Sequence, residues 1–208
     1  ENTHNQCGGS PLTLDFIENV KSIADKNNLK IHMDGARLFN ASVALRKSVK
    51  DIVKNVDSVT FCLSKGLSCP IGSIISGTKP FIAEARRWRK SIGGGMRQAG
   101  VIAAAGIYAF DNMVDRLEED HLNAKNLAEG LSVIPEIIID TEHVKTNIVR
   151  FELSDKVNSH EFETELKKEG IFFNSSYGSI RMVTHYGIDS KDIDEVINKT
   201  AKLVKNLI

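Results

Sequence analysis

The sequence predicts an α/β protein, with a mixed, mostly parallel sheet flanked by helices and a small α+β unit at the C-terminal end. Three observations carry that prediction. Two apolar runs, Leu29 to Met33 and Ser58 to Leu63, stop at the polar turns Asp34-Gly35-Ala36-Arg37 and Ser64-Lys65-Gly66. The stretch between them is long enough for a helical crossover, which marks a parallel βαβ arrangement. Beyond Pro135 the pattern changes to short strands alternating with amphipathic helices.

The Asn-, Gly- and Pro-bearing opening through Pro11 reads as loop. Leu14, Ile17, Val20, Ile23 and Ala24 recur at helical spacing, so a helix is expected to about Asn28. Ile71 to Ser76 reads as a third strand, and its link to Lys65 through Pro70 is too short for a crossover. That strand returns antiparallel, which makes the sheet mixed. Lys79 to Lys90 is expected to be helical, Gly93-Gly94-Gly95 to interrupt it, and Gln98 to about Leu131 to form one long Ala-rich helix. Strands are then expected at Asn147 to Leu153, Ile171 to Asn174 and Ser179 to Val183, with a helix from Ser159 to Glu169. A last helix from about Ser190 presents Ile193, Val196, Ile197, Val204 and Leu207 on one face. The expected division is 1–112 for the larger α/β unit and 113–208 for a linking helix and the small α+β unit.

At 208 residues and 41% hydrophobic, the chain can bury a substantial core. Lys+Arg and Asp+Glu balance at 27 each, so no global field favours a nucleic acid or an anionic membrane. Apolar runs such as Val101 to Ala105 fall far below the roughly 20 residues a spanning helix needs. Three cysteines, Cys7, Cys62 and Cys69, are sparse and odd in number, which fits a reducing compartment and points to the cytoplasm. The opening Glu1-Asn2-Thr3-His4-Asn5 lacks an initiator Met and any leader, and reads as cut from a longer polypeptide.

Lys65 is the sharpest chemical candidate, because it follows an apolar strand and sits between Ser64 and Gly66, where the backbone turns and a ligand can approach. A partly buried amine there would have a lowered pKa and act as a nucleophile. The bland alternative is a strand-end lysine reaching out to water. Asp34 ends the neighbouring strand, where a carboxylate can pair with the pyridinium nitrogen of pyridoxal phosphate, or simply cap a turn. Arg37 faces the same cleft or solvent. His4, Cys7 and His32 are too scattered to suggest a metal site. His121, His143 and His160 fall on polar stretches and are expected to be solvated.

The segments His32-Met33-Asp34-Gly35-Ala36-Arg37-Leu38-Phe39-Asn40-Ala41, Cys62-Leu63-Ser64-Lys65-Gly66-Leu67, Trp88-Arg89-Lys90 and Gly93-Gly94-Gly95-Met96-Arg97-Gln98 resemble the low-specificity L-threonine aldolases. Glu1 to Asn5 and Ser179-Ile180-Arg181-Met182-Val183-Thr184-His185 resemble further motifs of that family, in the same order along the chain. These are pyridoxal-phosphate enzymes of fold type I, and the chain resembles their C-terminal part. The resemblance implies that Lys65 forms the Schiff base with the cofactor, Asp34 pairs with its pyridine nitrogen and Arg37 contacts its phenolic oxygen. It also implies that Arg181 binds the substrate carboxylate and that His4 lies near the β-hydroxyl. Lys90 and Arg97 would offer cations to phosphate or substrate, across a subunit boundary. The implied reaction is cleavage of L-threonine or L-allo-threonine to glycine and acetaldehyde, in a homotetramer or dimer. A β-eliminating lyase using the same lysine and aspartate, and a non-catalytic assembly fragment, are the alternatives.

Overall fold

The structure, a computed structural model, describes residues 1–176 and 178–208. Its contacts divide into two units, one of residues 1–3 and 11–117 and the other of residues 4–10 and 118–208.

In the first unit the order is α1 (Leu14–Lys26), β1 (His32–Asp34), α2 (Leu38–Leu45), α3 (Val49–Val53), β2 (Ser58–Cys62), β3 (Ser73–Gly77), α4 (Lys79–Ser91) and α5 (Gly100–Asn112). The Thr13 hydroxyl caps α1 by accepting the Phe16 N–H, and Asp15 and Lys26 complement the helix dipole at its two ends. As expected from the crossover length, β1 runs parallel to β2, with Met33 opposite Val59 and Asp34 opposite Thr60. The short return also holds, since β3 pairs antiparallel with β2 and Cys62 faces Ser73. One sheet face packs Met33 and Val59 against Ile17, Leu38, Ala41 and Ile52. Alternation then leaves His32, Asp34 and Thr60 together on the opposite face. A second cluster gathers Leu63, Leu67, Cys69 and Ala109 beside Phe61 and Phe39, whose rings meet edge to face at 5.4 Å.

The second unit holds most of α6 (Leu117–Ser132), then β4 (Ile137–Ile138), β5 (Ile148–Leu153), α7 (Ser159–Lys168), β6 (Asn174–Ser176), β7 (Ser179–Val183) and α8 (Ser190–Leu207). The strand order is β4-β5-β7-β6, and every pairing is antiparallel. Phe151, Phe162, Leu131, Leu166 and Val149, all at most 2% exposed, form the centre of its core. Asp189 caps α8 in a reciprocal box with Asp192. No helix among the described residues is long and apolar enough to cross a membrane.

Four expectations need correction. The single helix from Gln98 to Leu131 is two, because the run Asn112-Met113-Val114-Asp115 contains poor helix formers and Asn112 closes α5 by donating its side-chain amide to the Tyr108 carbonyl. The strand expected over 171–174 lies at Asn174–Ser176, set by pairing with β7 rather than by the apolar Ile171-Phe172-Phe173 run. The first strand starts at His32, not Leu29, whose side chain is exposed. His121 is mostly buried instead of solvated, and desolvation pushes its pKa down from 6.5 to about 4.

That burial predicts an acid-sensitive fold. Between pH 6.5 and about 4 the unfolded chain takes up a proton that folded His121 refuses, so stability falls as pH drops through this window. The loss approaches about 3 kcal/mol at its lower end. Urea unfolding between pH 4 and 7 should show this slope, and His121→Gln should flatten it; an unchanged slope would rule out His121 as the source.

Candidate active site

Asp34 and the segment carrying Lys65 leave the same edge of the sheet, because β1 and β2 are parallel neighbours. Carboxyl ends of parallel strands are where α/β sheets gather ligand chemistry. Two close approaches fix the turns that follow. A Cβ on Gly35 would lie 2.9 Å from the Thr60 carbonyl oxygen, so only glycine lets the chain turn against β2 directly after Asp34. A Cβ on Gly66 would lie 2.9 Å from both Asn40 Oδ1 and Leu117 Cδ2, so a larger residue directly after Lys65 would have to displace the ends of those two side chains. The glycine after Asp34 is thus a packing requirement, and the one after Lys65 sits in a close-packed turn, at the two places where chemistry is expected.

Asp34 is exposed, and its Oδ1 accepts the Ala36 N–H at 3.0 Å. Its backbone carbonyl accepts the N–H of the fully buried Asn2 at 2.9 Å. The Asn2 side-chain nitrogen is also buried and has no acceptor among the described residues, so an unused donor lies in the segment tied to Asp34. Lys65 begins a tight loop closed by Ser68 N–H to Lys65 carbonyl (2.9 Å) and Cys69 N–H to Leu63 carbonyl (3.0 Å). Leu63, Leu67 and Cys69 point inward from that loop, whereas Lys65 is exposed and makes no ion pair with a described residue. The partial burial considered for Lys65 is therefore not what the fold provides. Arg37 stands half-buried at the start of α2. His32, weighed from sequence only as a metal ligand, hydrogen-bonds through Nδ1 to the Ser58 hydroxyl at 2.9 Å on the face that Asp34 shares. An exposed carboxylate and an exposed amine at adjacent strand ends are the donor set that a pyridinium ring with an aldehyde requires, so these residues fit that cofactor.

In the second unit, residues 4–10 lie across the sheet face opposite the helices. Gly9 touches it so closely that a Cβ would sit 2.8 Å from Thr146 Oγ1 and 2.9 Å from Ile148 Cδ1, and its φ of +72° also favours glycine. His4 precedes a 3-10 turn, Asn5–Cys7, and is half-buried. Arg181 on β7 donates to Asn5 Oδ1 in that turn, so His4 and Arg181 belong to one neighbourhood of this unit. Arg150 donates to Gln6 Oε1 at 3.1 Å and stands directly opposite Arg181 in the ladder. Sequence reasoning missed Arg150, because a basic residue in a half-buried strand gives no hint of its cross-strand partner. A cavity of about 250 Å³ in this unit, lined by Ile171, Phe172, Met182, His185, Ile188 and Val196 among others, includes neither His4 nor Arg181.

Lys90 and Arg97 are exposed around the triple glycine, and neither bonds to a described residue. Around them Trp88 of α4 (60%), Ile92 just after it (81%) and Val101 of α5 (82%) are exposed.

Residues 1–154 match the family model described as beta-eliminating lyase. Among curated sequences, the chain is 43% identical over 206 residues to "Probable low-specificity L-threonine aldolase 2" of Arabidopsis thaliana, covering 98% of this chain and 58% of that one. It is 41% identical over 196 residues to the low specificity L-threonine aldolase of Escherichia coli K12, covering 94% of this chain and 56% of that one. The chain thus spans somewhat over half the length of the curated relatives it matches. A solved structure of Leishmania major threonine aldolase superposes with a TM-score of 0.77 at 19% identity, over 98% of this chain and 59% of that one. That likeness shows the fold, a mixed α/β type.

Proposed function

We propose that this chain, which belongs to the beta-eliminating lyase family, acts in a pyridoxal-phosphate-dependent aldolase that cleaves L-threonine or L-allo-threonine to glycine and acetaldehyde. The observation that carries the reading is that Asp34 ends β1 and Lys65 lies just beyond β2, its parallel neighbour, each followed by a closely packed glycine. The names of the curated relatives support aldol cleavage over β-elimination.

Each residue then has a task. Lys65 would hold the cofactor through its amine. Asp34 would hold the proton on the ring nitrogen, and Arg37 would be the donor for the phenolic oxygen. Pyridoxal phosphate, when bound, supplies the electron sink that takes up the pair left at Cα as the Cα–Cβ bond breaks. Arg181 forks onto the substrate carboxylate, exchanging its neutral Asn5 acceptor for a charged one, and so orients the bond to be broken. His4 accepts the β-hydroxyl proton. Lys90 and Arg97 serve anionic groups across a subunit boundary of a homotetramer, and the exposed Trp88, Ile92 and Val101 are apolar surface that such assembly would cover. A cytoplasmic setting suits the three free cysteines.

Product analysis tests the reading. The cofactor-loaded protein should release acetaldehyde and glycine from L-allo-threonine, and little pyruvate or ammonia from L-serine. Pyruvate as the main product would replace the aldolase with an eliminating lyase.

A further inference from the structure

Arg150 and Arg181 are directly opposite each other on the antiparallel strands β5 and β7. Side chains so placed share one sheet face with Cβ atoms about 5 Å apart, and like charges there repel. Both residues are half-buried, and neither forms an ion pair with a described residue. Their partners are neutral amide oxygens, Gln6 Oε1 for Arg150 and Asn5 Oδ1 for Arg181. Glu152 follows Arg150 by two residues on the same face, but it is exposed and bridges to neither arginine. Two guanidinium groups are thus held side by side with their charge uncompensated. Their amide acceptors come from consecutive residues of one 3-10 turn, so both are approached from the same side.

We propose that Arg150 and Arg181 form a two-guanidinium site for a β-hydroxy amino acid that carries a second carboxylate, with the α-carboxylate on Arg181 and the side-chain carboxylate on Arg150. The proposal rests on the aldolase reading for the role of Arg181. A single carboxylate neutralises one guanidinium and leaves the other facing it; a four-carbon diacid spans the pair and neutralises both, each through a charge-assisted fork. The gain over a monoacid comes from Arg150 alone. For 3-hydroxyaspartate, the β-hydroxyl proton leaves, the Cα–Cβ bond breaks, the β-carbon becomes the aldehyde of glyoxylate, and Cα takes up a proton to give glycine. No oxidant or further reactant is needed.

The test compares 3-hydroxyaspartate with L-threonine on the cofactor-loaded protein, in wild type, Arg150→Gln and Arg150→Lys. The ratio of kcat/KM for the diacid to that for threonine should fall at least tenfold in Arg150→Gln and recover in part in Arg150→Lys. Equal loss on both substrates would overturn the proposal, leaving Arg150 as a residue that only holds Gln6. Calorimetric titration with succinate and with propionate adds a readout that needs no turnover. Wild type should bind succinate at least tenfold more tightly than propionate, and Arg150→Gln should erase the difference. Absence of that preference in wild type would overturn the site even if threonine is cleaved. If no substrate is cleaved yet the preference is present and Arg150-dependent, the two-arginine site stands and the aldolase reading falls.

Discussion

Lys65→Ala is expected to remove aldol cleavage of L-allo-threonine by on the order of 10⁴-fold or more, the scale seen when an essential nucleophile is lost. Lys65→Arg should do nearly the same. Arginine keeps the positive charge at the exposed loop position, but its guanidinium stays protonated and cannot attack an aldehyde. The pair of variants therefore separates a covalent role from an electrostatic one. Both should also lose the visible absorbance of bound cofactor while remaining folded, because Lys65 is exposed and the loop is anchored by Leu63, Leu67 and Cys69 instead. Steady-state rates and absorbance spectra on the same samples check this. An arginine variant with more than about a hundredth of wild-type activity would end the covalent assignment.

Asp34→Asn should lower kcat by between about tenfold and a few hundredfold with the fold intact. The asparagine side chain has the same shape and an oxygen able to accept the Ala36 N–H, so the turn into Gly35 survives. What disappears is the negative charge proposed to keep a ring nitrogen protonated. A hydrogen bond to a charged group is worth about 1.5–3 kcal/mol, and each 1.36 kcal/mol corresponds to a factor of ten in rate. Unfolding free energy should change by less than about 0.5 kcal/mol, as for an exposed position without a packing role. Unchanged kcat would remove Asp34 from the site; a large loss of stability would make it a structural turn residue.

Much of this was legible in the sequence because it is local. An apolar run that stops at Asp-Gly or Lys-Gly marks a strand end, and those two stops carry the proposed cofactor residues. The distance between the runs predicted a crossover and a parallel pair, while the short link after Lys65 predicted an antiparallel third strand. Helical spacing located α1, α4, α7 and α8 to within a few residues. The colinear motifs named the family. In each case residue type and spacing along a few turns of chain carry the information.

The remainder depends on contacts between residues far apart in sequence. Nothing in the neighbourhood of Arg150 or Arg181 says that they are opposite one another, because strand register is chosen by the packing of the whole β4-β5-β7-β6 sheet, in which a one-residue slip would send every side chain to the other face. Nor does the opening segment show that residues 4–10 belong with the second unit's sheet while Asn2 in the first donates to the Asp34 carbonyl. His121 looked solvated by its polar neighbours until the fold buried it. The sequence by itself determined the class of fold and the Lys65 and Asp34 strand ends, since local stereochemistry and hydrophobic periodicity suffice for both. Only the tertiary structure decided the two-arginine face, the seating of His4 and the titration of His121, since each depends on which distant surfaces exclude water together.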